Sequence, residues 1–345
     1  MVGEGLRVAM LGAGGIARTH ARCLRESGAE IAAVCARTEA SAGAFVDGSA
    51  PGAKAYTDFL KMLDVERPDA LYVSLPPGAH RGQVETAAQI GLPLFLEKPI
   101  ALDVERAEAQ VRAIEKHGVV SLVGYQMRFS DPVRRLRELI DQGEAGRATL
   151  FQGTYLCNAL HAPWWRDAEV GGGQLVEQAI HLYDLAMYLG GPVDSVSGFA
   201  ANLTHGNVDG YTVDDTSAAL LRFRDGGAAS LAASNSAVPT RWQASWRAVF
   251  QNVTVAAPSG GETTFSYSKG QPAEHFWQSG EALREEAVPS QTDPYLAQTQ
   301  HFLQAVRGEV ASLAPARHGL RGLRLVKAVQ ESARRGGAPV EISEE

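Results

Sequence analysis

Leu11-Gly12-Ala13-Gly14-Gly15-Ile16-Ala17 is the stretch that decides the fold class of this chain. It follows a short apolar run, residues 7–11, and opens a helical pattern over 16–26, so it reads as strand, tight turn and helix. The G-x-G-x-x-A spacing lets backbone approach a pyrophosphate, which sits at the helix N-terminus where N–H groups have no helical partner. Gly12, Gly14, Gly15, Ile16 and Ala17 are therefore expected to bind a dinucleotide. A bare glycine turn would mean little, but a second strand arrives on schedule at 31–35.

Outward from this unit the alternation continues. Strand patterns lie at 70–74, 94–96 and 119–123, with helical patterns from about 39 and at 81–90 and 104–116. Such alternation predicts a doubly wound parallel sheet with helices on both faces, a Rossmann domain over residues 1–125. Past 125 the style changes. One helix, 133–141, leads into strand patterns at 148–155, 193–202, 217–223, 228–234, 246–255 and 263–268. Runs of strands with few helices predict a large, open, mostly antiparallel sheet in a second α/β domain, 126–345. A helix over 175–189 follows Gly171-Gly172-Gly173, and helices at 295–306 and 319–334 end the chain, with room to pack back on the first domain. The polar tract 270–292 reads as a surface excursion.

The 345 residues are 45% hydrophobic and 21% charged, a composition that builds cores without a disulfide or metal staple. Acidic residues outnumber basic ones 39 to 32, which argues against nucleic acid as a partner. Cys23, Cys35 and Cys157 form no CxxC pair, so neither a disulfide framework nor a cysteine zinc site is expected. Neither a leader pattern nor an apolar run of membrane-spanning length is visible, and the expected location is the cytoplasm. An open sheet with one uncovered face is expected to pair copies of the chain as a homodimer or homotetramer.

Several polar residues fall where a doubly wound sheet places chemistry. The second strand ends in Ala36-Arg37-Thr38, without the acidic side chain that usually takes the ribose hydroxyls of NAD. Arg37 and Thr38 suit a 2′-phosphate instead, so NADP is favoured and NAD is the alternative. Ser74, Pro76 and His80 end another strand near the nicotinamide position. Glu97-Lys98-Pro99 follows the strand 94–96. A partly desolvated lysine there can hold a substrate hydroxyl and stabilise developing alkoxide charge. Glu177, His181 and Asp184 share one helical face. Imidazole suits proton exchange with a carbinol oxygen near neutral pH, with Glu177 orienting it or binding substrate. A metal site on this face is the weaker alternative, since hydride transfer needs no metal.

In order and spacing, Gly12 to Ala17, Pro76-Pro77-Gly78-Ala79-His80, Glu97-Lys98-Pro99, and Gly171-Gly172-Gly173 followed by His181 and Asp184 resemble the glucose–fructose oxidoreductase / inositol dehydrogenase / MocA family. The resemblance spans essentially the whole chain. It implies a Rossmann domain with NAD or NADP, a sugar, inositol or related substrate, a lysine (Lys98) between nicotinamide and substrate, and a catalytic histidine, His181. One position departs: the residue four before that histidine is usually Asp in sugar and inositol dehydrogenases, and here it is Glu177. Trp164-Trp165-Arg166, Tyr125 and Arg128 are expected to contact substrate by stacking and hydrogen bonding. Two other readings stay open: a dinucleotide sensor without turnover, and a reductase of a non-sugar substrate.

Overall fold

The apolar runs of the N-terminal third form strands covered on both faces, which is why they lack polar alternation. The structure is a computed structural model that describes residues 2–268 and 284–342. The chain divides into two units, the first comprising Met1–Phe129, Glu169–Gly171 and Asp293–Leu323. Its sheet joins β1 (Arg7–Leu11), β2 (Glu30–Cys35), β3 (Lys54–Tyr56), β4 (Ala70–Val73), β5 (Leu94–Leu96) and β6 (Ser121–Val123). Their order is β3-β2-β1-β4-β5-β6, and every neighbouring pair is parallel. Helices α1 (Gly15–Glu26), α2 (Glu39–Ser49), α3 (Phe59–Glu66), α4 (Gln83–Gln89) and α5 (Val104–Lys116) provide the connections. The strand order reverses between β1 and β4, where the carboxyl ends of a doubly wound sheet open their ligand crevice. The parallel sheet was legible, but β3 and α3 were not. β3 is three residues long, and its Lys54 and Ala55 are exposed, so no apolar period marks it.

The second unit comprises Ser130–Ala168, Gly172–Thr292 and Arg324–Glu345. It contains α6 (Asp131–Asp141), β7 (Ala148–Leu156), a π-helical turn Gln174–Ala179 running into α7 (Ile180–Gly190), β8 (Val193–Ala201), β9 (Thr216–Phe223), β10 (Ala228–Ser234), β11 (Gln243–Phe250), β12 (Val253–Ala257), β13 (Thr263–Tyr267) and β14 (Arg284–Val288). The helices α8 (Pro294–Val306) and α9 (Ala316–Arg334) and the strand β15 (Val340–Glu341) end the chain. Helix α8 lies in the first unit, and α9 contributes to both. The nine strands run β14-β13-β12-β11-β7-β10-β9-β8-β15, with only β7 and β10 parallel. Burial alternates strictly along β9 and β10, one face packed and the other open. Helix α7 lies against β7 and β10, with Leu182 over Gly153.

Three expectations need correction. The run 246–255 is not one strand: Gln251 and Asn252 turn the chain back, giving the antiparallel pair β11 and β12. The polar tract 270–292 is not all loop, because Arg284–Val288 pairs with β13 as an edge strand whose charges suit a sheet edge. The remainder of that tract lies partly outside the described residues. The helix expected over 175–189 begins with a π turn, a widening that recurs at functional sites.

Candidate active site

In the first unit the glycine turn is held by close packing. Gly12 has φ +109°, and a Cβ there would lie 2.4 Å from the Ser74 carbonyl oxygen on the neighbouring strand end. Its N–H also donates to the Cys35 carbonyl at 2.9 Å. Gly14 caps α1 and Gly15 begins it. A Cβ on either would meet nothing within 4 Å, and both residues are exposed. Ile16 is half-buried and Ala17 fully buried, anchoring the first turn. That turn carries no acidic residue, so its N–H groups and the positive end of the helix dipole face open space. The cradle therefore fits a pyrophosphate, and a dinucleotide would be held by Gly12, Gly14, Gly15 and the turn that follows.

At the end of β2, Ala36 is buried and Arg37 is exposed. Thr38 caps α2, its hydroxyl oxygen accepting the Ser41 N–H at 3.2 Å. That bond uses the hydroxyl as acceptor.

Other residues expected at a ligand turn inward. His80 is buried and hydrogen-bonded through Nδ1 to Gln110 Nε2 at 3.0 Å. Burial, then the charges of Arg106 and Arg81, push its pKa down to about 4, so the ring is neutral near pH 7. Ser74 is buried with its hydroxyl unpartnered, Pro76 is half-buried, and Gly78 is pinned against Val170. Glu97 is buried with Oε1 2.7 Å from His20 Nε2 on α1, while Oε2 accepts the Lys98 N–H at 3.1 Å. A side chain at Gly124 would collide with that carboxylate. Glu97 thus fastens the lysine's backbone to the cofactor helix, a role the sequence did not reveal because His20 lies 77 residues away. Lys98 itself is half-buried at the end of β5. Arg128 is buried in the 3-10 turn Gln126–Phe129, beside the Tyr125 ring, and donates to the Leu313 carbonyl and to His318 Nδ1, both at 2.9 Å. These bonds make it a brace within the unit. Tyr125 is likewise buried.

In the second unit the glycine run explains itself locally. Gly172 and Gly173 both have positive φ, and a Cβ on Gly173 would collide with Val213. The π turn and α7 start directly after them. Asp214 accepts the Leu175 N–H at 3.3 Å, and burial raises its pKa to about 6. His181 and Asp184 are buried and Glu177 is half-buried. The Trp165 indole N–H donates to Glu177 Oε2 at 2.9 Å. Trp165 is 2% exposed and packs with Tyr211 and Val213, whereas Trp164 is 37% exposed and Arg166 half-buried. The paired tryptophans therefore divide, one fixing the carboxylate and the other facing solvent. Sequence reading also missed Asn235, which is fully buried. Its side chain donates to Ala159 O and the Tyr211 hydroxyl and accepts the Ala159 N–H. Among the described residues, no three His, Cys, Asp or Glu side chains converge as a metal-ligand group. No described helix is long and apolar enough to cross a membrane.

Residues 6–125 match the family model described as "Oxidoreductase family, NAD-binding Rossmann fold". Residues 133–256 match "GFO/IDH/MocA C-terminal domain", and residues 254–342 match "Oxidoreductase family, C-terminal alpha/beta domain". Among curated proteins, scyllo-inositol 2-dehydrogenase (NAD(+)) of Bacillus subtilis (strain 168) is 28% identical over 67% of this chain and 68% of its own. D-glucoside 3-dehydrogenase of Escherichia coli (strain K12) is 28% identical over 97% of each. Other relatives align over 52% and 55% of their own length. Among solved structures, levoglucosan dehydrogenase in complex with NADH and levoglucosan has a TM-score of 0.88 at 18% identity, covering 98% of this chain and 100% of that one. At that identity the likeness is one of fold.

Proposed function

The chain belongs to the Gfo/Idh/MocA oxidoreductase family, and from that footing we propose that it exchanges a hydride between NAD(P) and a carbinol or carbonyl carbon of a sugar, inositol or related polyol. The observation that carries this reading is Lys98, half-buried at the end of a strand of the dinucleotide sheet and fastened through Glu97 to the helix of the glycine turn. The nicotinamide supplies hydride chemistry when bound. The residues of the chain supply the rest. Lys98 positions the substrate oxygen and offsets its negative charge. His181 accepts the hydroxyl proton during oxidation and returns it during reduction. Glu177, held by Trp165, orients the imidazole and the substrate. Trp164 and Arg166 offer a ring face and a guanidinium to sugar hydroxyls. The curated relatives named above act on an inositol and a glucoside, which supports this substrate class. A panel of polyols and keto-sugars, followed at the nicotinamide absorbance with both cofactors, tests it. Consumption by a sugar or polyol supports the proposal, and cofactor binding without any turnover supports a sensor.

We assign NADP as the preferred cofactor on Ala36-Arg37-Thr38 and the absence of an acid there. Arg37→Ala is expected to weaken NADP by about 1–3 kcal/mol, the worth of a charge-assisted contact, with NAD little affected. Isothermal titration with each cofactor checks this. Equal losses for both, or a native preference for NAD, would refute it.

Self-association through the open sheet face is proposed as well. Phe199 and Leu220 stand exposed there, on β8 and β9, beside a groove that Ala232 also lines. Sedimentation at micromolar concentration is expected to give a dimer or tetramer, and Leu220→Glu a smaller species. A monomeric wild type would contradict this.

A further inference from the structure

Aromatic rings form a continuous row in the second unit. Trp242 meets Tyr155 at 6.1 Å and His161 at 5.3 Å between ring centroids. His161 lies 4.1 Å from Trp165, whose indole holds Glu177. Exposure falls along the row, from 54% at Trp242 to 2% at Trp165. A lone exposed tryptophan needs no explanation. This one is the outer end of a row whose inner end is the carboxylate of the candidate site. Its neighbours stand near perpendicular to it, at 86° and 75°, so neither ring stacks on the indole face. His161, between the two tryptophans, holds φ +55°, a backbone region that L side chains rarely adopt. Its Nε2 lies 3.3 Å from Asn235 Oδ1. The local chain is thus bent to keep an aromatic ring between the two indoles. Flat rings with polar edges suit the apolar C–H faces and hydroxyl rims of cyclic ligands.

We propose that Trp242, backed by His161 and Tyr155, is a stacking subsite for a second ring of the substrate, the aglycone or second sugar of a glycoside. This rests on the reading that the reacting ring binds beside Glu177 and His181. The preferred substrate is accordingly a glycoside or short oligosaccharide, not a free monosaccharide or inositol. Trp242 contributes to affinity for the outer ring, while the reacting ring is held by the inner residues.

The test reads binding without turnover, so it stands apart from the success of the oxidoreductase reading. D-glucose, D-galactose and D-xylose are titrated calorimetrically into the full chain, each beside its phenyl β-glycoside. At least one phenyl glycoside is expected to bind about three- to tenfold more tightly than its parent sugar, the worth of one stacked ring. Trp242→Ala should erase that margin while sparing the parent sugar, and Trp242→Phe should retain most of it. Trp242 is exposed, so these variants are expected to melt like the wild type. An unchanged margin in Trp242→Ala would overturn the subsite, as would a wild type that binds no phenyl glycoside in preference to its parent. If the margin behaves as expected and no sugar is turned over, the subsite stands and the catalytic reading fails.

Discussion

Lys98→Met is expected to lower turnover by about 10²–10⁴-fold while leaving NAD(P)H affinity nearly unchanged. Methionine approximates the length of the lysine stem but carries no charge and no donor, so the substrate oxygen loses the group that offsets its developing charge. The backbone should hold, because Glu97 grips the Lys98 N–H and His20, and the substitution removes neither bond. His181→Ala is expected to fall in the same range, roughly 10²–10⁴-fold, and to flatten the pH dependence of the rate. Steady-state rates and calorimetric cofactor titrations on both variants check this. Rates within a factor of about three of wild type in both variants would be far too small a loss for groups of this kind and would remove them from the chemistry.

Gly14→Val is expected to abolish detectable cofactor binding without unfolding the protein. A Cβ at Gly14 would meet nothing within 4 Å beyond its chain neighbours, so a valine there is expected to project into the proposed pyrophosphate cradle. The contrasting variant is Gly12→Ala. Its Cβ would lie 2.4 Å from the Ser74 carbonyl, at a φ of +109°, and the clash is with backbone. That change is expected to destabilise the first unit by about 2–4 kcal/mol. Thermal melts with and without NAD(P)H separate the two cases. Gly14→Val should melt like wild type but gain nothing from cofactor, whereas Gly12→Ala should melt earlier. Full cofactor stabilisation of Gly14→Val would refute the cradle.

The sequence carried the fold because its two sheets differ in solvent exposure. Strands such as β1 and β4 are buried on both faces and read as plain apolar runs, while β9 and β10 alternate because one face is open. What escaped were elements without a period: the three-residue β3, the charged edge strand β14, and the turn at Gln251 and Asn252. Of the proposed site, the sequence offered the residues but not their partners. Lys98, His181 and Glu177 stand at a strand end and along a helix, positions that periodicity can locate. Their supports do not. His20 reaches Glu97 across 77 residues, and Asn235 reaches Ala159 across 76. A basic residue after the last Rossmann strand can contact a ligand or brace the fold, and the bonds of Arg128 to Leu313 and His318 lie too far along the chain for the sequence to show. The same ambiguity attached to Trp164 and Trp165, where one neighbour is buried on Glu177 and the other faces solvent.

Hydride transfer is read most directly by isotope. Wild-type protein is incubated with reduced nicotinamide cofactor carrying deuterium at both C4 positions, and with each keto-sugar and keto-polyol of the panel in turn. Mass spectrometry then follows the label. Deuterium is expected on the carbinol carbon of the product, one atom per turnover, and at a rate reduced about 10²–10⁴-fold in Lys98→Met. Label that stays on the nicotinamide across the whole panel, with cofactor bound, would contradict the oxidoreductase reading and leave a protein that binds the dinucleotide without using it.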